Sequence, residues 1–339
     1  MTHLLRKGRM CPTANFADPP SPARRARSLA FSLLAATGVS AALPSQPLAA
    51  QTSGRPEAPL ALRVPASARY AALANAGVSG NDADVIFYNP GMLAQARGMA
   101  VSVQRFGAQA TSGSFGSVQA LGAFTIGVGA QTLDYGAPAA GGLEAAVRTG
   151  APRLSDGGPI SASSNVFVLG AARTIKGIRL GANVKYAEER LGGSRDGVAA
   201  LDIGMNRPLG PATVGLSVQN IGAGPQIGGI DGALPTRVTI GFGGGLFPIW
   251  ERFDIGMQSQ LSVERDGFVR PAGGVEVGYV PVEGVSFIIR QGVRLPRERD
   301  ESLVTGGFGV TVDRFSFDYA FDPVRGGRPV SHRVGIRVK

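Results

Sequence analysis

From Gly98 to the end of the chain, apolar residues alternate with polar or glycyl ones, segment after segment. Ile178, Leu180, Ala182, Val184 and Tyr186 alternate with Arg179, Gly181, Asn183 and Lys185. Phe253, Ile255, Met257, Ser259 and Leu261 alternate with Asp254, Gly256, Gln258 and Gln260, and Phe315, Phe317, Tyr319 and Phe321 with Ser316, Asp318 and Ala320. A period of two divides the two sets between opposite faces of a strand, so each segment presents one apolar and one polar face.

About fourteen such segments of roughly ten residues run in succession, an even number and the length at which a tilted strand crosses a bilayer. Their expected starts lie near Gly98, Phe115, Phe124, Ser164, Ile178, Gly197, Ala212, Thr236, Arg252, Phe268, Gly284, Ser302, Arg314 and Val330. The connections carry independent information, because membrane barrels alternate short periplasmic turns with longer outside loops. Short connections are expected at 121–123, 174–177, 207–211, 247–251, 281–283 and 313. Longer ones, rich in Gly, Pro and charge, are expected at 135–163, 188–196, 220–235, 295–301 and 322–329.

A soluble β-sandwich hides its apolar faces in one core and needs no such run of strands whose opposite face carries charge. In lipid, the aliphatic face turns outward and the polar face inward. The expectation is therefore an all-β transmembrane barrel of about fourteen antiparallel strands in the outer membrane, in contact with its lipid. Asp134, Asp202, Asp254, Glu276, Arg290, Arg294 and Asp318 should face the lumen and form a hydrogen-bond network there. Tyr135, Tyr186, Trp250 and Tyr279, near strand ends, suit an interfacial aromatic girdle.

Residues 1–50 have the layout of a signal peptide. Arg24, Arg25 and Arg27 precede an apolar run over 29–43 that is too short to span a membrane comfortably, and small residues follow, with cleavage expected after Ala42 or Ala50. Cys11, the sole cysteine, leaves with this leader, so the mature chain has no disulfide. The leader also holds six of the 34 bases and one of the 24 acids; the remaining 28 bases and 23 acids leave only +5 of the formal +10. Nucleic acid is not indicated. The 50 glycines in 339 residues, about twice the usual share, let another backbone approach the strands closely.

Residues 51–66, rich in Pro, Ala and charge, read as a periplasmic linker, and 67–97 as a small helical plug segment ahead of the barrel at 98–339. Asn81, Asp82 and Asp84 are cap and turn formers that should stop a helix begun by 70–76. Asn89-Pro90-Gly91-Met92 fits a type II turn, with Gly91 at the position that needs positive φ.

The run Phe87-Tyr88-Asn89-Pro90-Gly91-Met92-Leu93 resembles the plug region of outer-membrane proteins related to the long-chain fatty-acid transporters, and of the PorV/PorQ type linked to type IX secretion. Gly91 and Met92 depart from the usual Ala-Gly. The resemblance continues in order through Gln131 to Gly136, Gly181 to Tyr186, Ala200 to Gly204 and, most characteristically, Val214 to Gly222 followed by Leu234-Pro235-Thr236 and Ile240-Gly241. It closes with Phe317 to Phe321 and His332 to Ile336, although the chain ends Arg337-Val338-Lys339 rather than on an aromatic. Two functions are implied: docking of exported cargo proteins or secretion components, which the PorV/PorQ likeness favours through loop 226–234, or a conduit for hydrophobic small molecules. A purely structural outer-membrane role is the third alternative. In each, Phe87, Tyr88, Asn89, Pro90 and Gly91 would form the plug turn.

Catalysis has little to work with. The two histidines are His3 and His332, so no Ser-His-Asp arrangement, HExxH motif or Cys/His zinc cluster can be drawn. Gly241-Phe242-Gly243-Gly244-Gly245 lacks dinucleotide-binding spacing and no helix pattern follows it. Enzymatic activity, cofactor and metal are not expected.

Overall fold

The computed structural model describes residues 55–107, 110–136, 161–298, 301–323 and 330–339. The expected signal peptide, with Cys11 and His3, lies outside the described residues, as does most of the expected loop 135–163.

The strands are β1 (Gly98–Phe106), β2 (Ala110–Leu121), β3 (Phe124–Asp134), β4 (Ala162–Ile175), β5 (Ile178–Leu191), β6 (Ser194–Leu209), β7 (Ala212–Ile221), β8 (Gln226–Ile227), β9 (Ile230–Asp231), β10 (Arg237–Trp250), β11 (Phe253–Glu264), β12 (Val269–Val282), β13 (Val285–Arg294), β14 (Val304–Val312), β15 (Phe315–Asp322) and β16 (Ser331–Val338). Fourteen of them form one closed antiparallel barrel, each paired with its neighbours in chain order, while β8 and β9 make a separate small hairpin. Closure comes from β1, in which Val101 pairs with Phe115 on one side and with Ile336 on the other. The backbone donors and acceptors of every barrel strand thus have partners within the wall, as a spanning sheet requires.

Twelve of the fourteen barrel strands begin within two residues of the expected positions. The exceptions are β2 and β6, which begin earlier. Residues 110–114 of β2 carry no large apolar side chain, and Ser112 and Ser114 are buried inward, so the alternation that marks a strand is missing there. The expected long connection 188–196 is corrected to a two-residue turn, because Leu191 pairs with Ser194 and Gly192 takes a positive φ of 58°.

The connections sort by end. All six at one end are two residues long: 122–123, 176–177, 210–211, 251–252, 283–284 and 313–314. At the other end lie the longer ones, including 222–236 with its β8–β9 hairpin and 295–303, together with the two-residue turn 192–193. The short-turn end is periplasmic in this layout and the long-loop end faces outside.

Side chains on the two faces differ as the period demands. Outward stand Val101, Phe167, Leu169, Val184, Ile203, Ile240, Ile289, Phe308, Phe317 and Ile336, all exposed. Inward stand Ser102, Gln131, Asn183, Asp202, Gln258, Glu276, Arg290 and Arg333, all buried.

Inward side chains are buried because another part of the chain covers them. Residues 55–97 form a 3-10 turn (Leu60–Arg63), a helix α1 (Ala68–Ala72) and two further 3-10 turns (Ala83–Phe87 and Pro90–Ala94). Ser67 caps α1, its hydroxyl accepting from Tyr70 N. The expected linker character of 55–66 does not hold: Ala61, Leu62 and Ala66 are buried in an apolar cluster with Leu133, Val166, Val168 and Ala187 of the wall. The expected type II turn is corrected as well. Asn89 is the N-cap of a 3-10 turn begun by Pro90, a residue preorganised for that position, and Gly91 is not among the positive-φ residues.

Candidate functional site in the barrel lumen

The segment 55–97 runs the length of the barrel. At the long-loop end Ala58 N donates to Ala233 O at 2.9 Å, Leu60 N to Glu189 Oε2 at 2.9 Å and Ala61 N to Ser164 Oγ at 3.0 Å. At the other end it passes into Gly98, where β1 starts beside Val118 near the two-residue turn 122–123.

Midway, six charged side chains close a ring. Asp82 Oδ2 receives Arg69 Nη1 at 3.1 Å and Arg337 Nη1 at 3.0 Å. Arg69 Nε reaches Glu276 Oε2 at 3.0 Å, and the same oxygen receives Arg290 Nε at 2.9 Å. Arg290 Nη1 lies 2.7 Å from Asp318 Oδ1, an ion pair without hydrogen-bond alignment, and Arg337 Nε donates to Asp318 Oδ2 at 2.7 Å. Three guanidinium groups and three carboxylates alternate, so the ring is neutral although every member is buried. Alternation is what makes that burial tolerable, since an unpaired charge there would cost far more than a paired one. Arg69 and Asp82 belong to the inner segment, and the other four to β12, β13, β15 and β16. Between these strands β14 contributes Gly309, where a Cβ would lie 2.6 Å from Arg290 Nη1. Glycine leaves the space the guanidinium fills.

The opposite wall grips the Asn89 turn. Asn89 Oδ1 accepts from Gly91 N at 3.0 Å while its Nδ2 donates to Val78 O at 2.9 Å and Met205 O at 3.3 Å. Gln219 Nε2 donates to Phe87 O at 2.8 Å, Ser217 Oγ to Tyr88 O at 3.0 Å and Asn183 Nδ2 to Ile86 O at 2.8 Å. Behind them Lys185 Nζ bridges Asp202 Oδ2 at 2.8 Å and Asn220 Oδ1 at 2.9 Å. Asn220, at φ 58°, sits beside the register shift between β6 and β7 and donates its N–H to Asp202 Oδ1 at 2.8 Å. This bulge gives the asparagine of Val214 to Gly222 a structural reason. A third anchor is Arg333, which donates to Ser102 Oγ at 2.9 Å, Gln104 Oε1 at 2.7 Å, Ser114 Oγ at 3.0 Å and Pro65 O.

Of the seven polar residues expected in the lumen, Glu276, Arg290 and Asp318 come together in the ring. Asp202 lies in the Lys185 cluster, Arg294 pairs with Asp322 at the long-loop mouth, and Asp254 faces inward opposite Gly278 near the short turns. Asp134 is a correction: Leu133 is the inward residue at that end of β3, so Asp134 falls on the exposed face and accepts from Gly136 N. Tyr135 is likewise no girdle residue. It turns into the mouth and donates to Glu189; burial first, then that carboxylate, raise its pKa above the ordinary range. Phe87, Tyr88, Asn89, Pro90 and Gly91 are all buried inside the barrel. Arg69, Asp82, Arg333, Arg337, Lys185 and Asn220 were not among the expected site residues, Asp82 being read only as a cap and turn former and Lys185 only as a polar-face residue of its strand. Inward parity with Ser331 and Asp318 would have flagged the arginines of β16, but nothing local pairs Arg69 with β12.

Little space remains. A cavity of about 10 Å³, room for one water, lies among Leu62, Val64, Phe87, Tyr88, Lys185 and Arg237, and a second of about 10 Å³ lies beside Gln219 and Gln260.

A closed wall with exposed apolar side chains around its outside and charge within can rest only in a hydrocarbon layer. The chain is an outer-membrane β-barrel. No family model matches it, and none of the curated proteins does. Solved structures similar to it include the monoaromatic hydrocarbon channel CymD, at 12% identity over 80% of this chain and 96% of that one, with a TM-score of 0.48. The P. putida toluene transporter TodX is 10% identical over 78% of this chain and 96% of that one, with a TM-score of 0.46. CdiB from Acinetobacter baumannii follows at 12% identity, 71% and 59% coverage and a TM-score of 0.37.

Proposed function

We propose that the barrel is a plugged conduit for hydrophobic small molecules, with residues 60–97 as the displaceable plug. One observation carries this reading. Among the described residues, no main-chain to main-chain hydrogen bond joins 60–97 to a barrel strand; every hydrogen bond between them uses a side chain on at least one side. A filling held in this way can exchange its contacts for water without opening the wall, whose ladders are independent of it.

The mouth favours an apolar solute. Leu60, Leu62 and Val64 occupy it against Phe106, Leu133, Tyr135, Val166 and Val198, an apolar recess that the chain fills with its own side chains. Loop 226–234, a candidate cargo surface by sequence, is engaged with the chain itself: Ala233 bridges Glu57, and Asp231 lies 3.5 Å from Arg55. That weighs against cargo docking.

A reversible tether tests the reading. A Cβ on Gly335 would lie 3.1 Å from Ala68 Cβ, near disulfide range, and the sole natural cysteine is Cys11. The variant A68C/G335C, reconstituted in liposomes, should take up labelled toluene or a fatty acid when reduced and lose uptake when oxidised. Equal uptake in both states would overturn the proposal, as would capture of an exported protein by a barrel that admits no solute.

A further inference from the structure

The charges at the short-turn end are unevenly placed around the rim. Residues 171–182 and 203–216, which form the β4–β5 and β6–β7 turns, contain Arg173, Lys176, Arg179 and Arg207 and no Asp or Glu. The acids of that end, Glu251, Asp254, Glu283 and Asp313, all lie on the far side, from β10 to β15, where Arg252 and Arg314 accompany them.

Three of the four cations on the acid-free side cannot be lumen residues. In β4 the outward set is Phe167, Leu169, Ala171 and Arg173; in β6 it is Leu201, Ile203, Met205 and Arg207. Both arginines therefore stand in a lipid-facing row near its short-turn end, each followed by one more apolar member, Ile175 in β4 and Leu209 in β6. Lys176 stands between them at the tip of the β4–β5 turn, with φ 49° followed by Gly177 at φ 79°, and it is exposed. Arg179 alone turns inward, to Asn206. The register places Arg173 opposite Leu180 and Leu180 opposite Met205, two residues short of Arg207, so the arginines stand two strand spacings and two residues apart, about 12 Å. Arg173 is held over the Phe124 ring at 5.4 Å, which fixes its guanidinium at the edge of the apolar band. Ile175, Leu180, Met205 and Leu209, all exposed, border the three cations on the lipid face.

We propose that Arg173, Lys176 and Arg207 form a binding site for an anionic phospholipid of the periplasmic leaflet. The phosphate group would sit among the three cations and the acyl chains would lie along the outward faces of β4 to β6. A soluble acidic protein is the poorer match, because two of the three side chains stand on the face that meets lipid. Long basic side chains at this depth extend to the headgroups, and each one near an anionic surface strengthens attachment roughly five-fold.

The test uses the full barrel in phosphatidylcholine nanodiscs with a minor fraction of spin-labelled phosphatidylglycerol or spin-labelled phosphatidylcholine. Wild type should immobilise phosphatidylglycerol preferentially, and R173Q/K176Q/R207Q should lose that preference by on the order of a hundred-fold. The far-rim variant R252Q/R314Q should keep it. Fast migration of unboiled protein on gels establishes that each variant is folded. The inference fails if wild type shows no preference, if the triple variant retains it, or if R252Q/R314Q abolishes it. It fails too if lipid A displaces phosphatidylglycerol from the site, which would assign the patch to the other leaflet.

Discussion

Arg69 and Glu276 are 207 residues apart in the chain yet meet through two hydrogen bonds, Nε to Oε2 at 3.0 Å and Nη2 to Oε1 at 2.5 Å. This contact joins the inner segment to the wall at a buried site, and Glu276 simultaneously holds Arg290, its cross-strand partner. A single carboxylate thus neutralises one guanidinium from the inner segment and one from the barrel.

Glu276→Gln should therefore leave two buried arginines short of charge. The expected loss is about 3–5 kcal/mol, the range for breaking a buried pair on one side. Because the β-ladders do not depend on the ring, it should appear first as protease sensitivity of 60–97, before any change in the temperature at which fast gel mobility is lost. Arg69→Met combined with Glu276→Gln should cost less than the sum of the single changes, since both remove the same contact.

Gly91→Ala should displace the Asn89 turn for a steric reason. A Cβ there would lie 2.9 Å from both Gly204 O and Met205 Cα, main-chain atoms that cannot swing aside. The expected cost is about 1–3 kcal/mol. Gly113→Ala is the control, because its Cβ would meet only Thr132 Cγ2 at 3.4 Å, and it should change stability by less than about 0.5 kcal/mol. Equal behaviour of the two variants in limited proteolysis would refute the close-approach account.

Asn89→Ala removes an N-cap and two side-chain donors together. Val78 O and Met205 O lose their Asn89 partner, and Gly91 N loses its acceptor. A loss of about 1–3 kcal/mol is expected, and Asn89→Asp should restore only the capping part. Hydrogen exchange at Gly91 N separates the two contributions: it should quicken in the alanine variant and stay slow in the aspartate variant.

The barrel was legible because its information is local. Alternation at a period of two needs only neighbouring residues, and it located twelve strand starts within two residues. It weakened where local contrast vanished, as in the Thr-Ser-Gly-Ser run of β2, whose register is set by Arg105 to Ser102 across the hairpin. Parity also has to be read from the correct neighbour. Asp134 was misplaced because its face is fixed by Leu133, which the inner segment buries. The ring was largely illegible for the opposite reason. Arg337 and Asp82 are 255 residues apart, and the spacing of neither indicates the other. Gly91 was recognised as necessary, but a turn rule supplied the wrong cause; the requirement comes from β6, over a hundred residues downstream.

Leu62→Ala tests the mouth most directly. Leu62 is buried among apolar neighbours and already borders a cavity that holds about one water. Removing most of its side chain should cost about 2–5 kcal/mol locally and leave an apolar void able to accept a small aromatic molecule. Two consequences should appear together. The folded variant should bind benzene or toluene, measured by ligand-induced shifts in Tyr135 and Phe87 signals, and liposomes carrying it should admit labelled toluene faster than wild type. A void that binds toluene without faster uptake would mean that the rate is set deeper in the barrel, at the ring of Arg69, Asp82 and Glu276. On the proposed conduit reading, combining Leu62→Ala with Glu276→Gln should then raise uptake beyond either change alone, because the two closures would act in series.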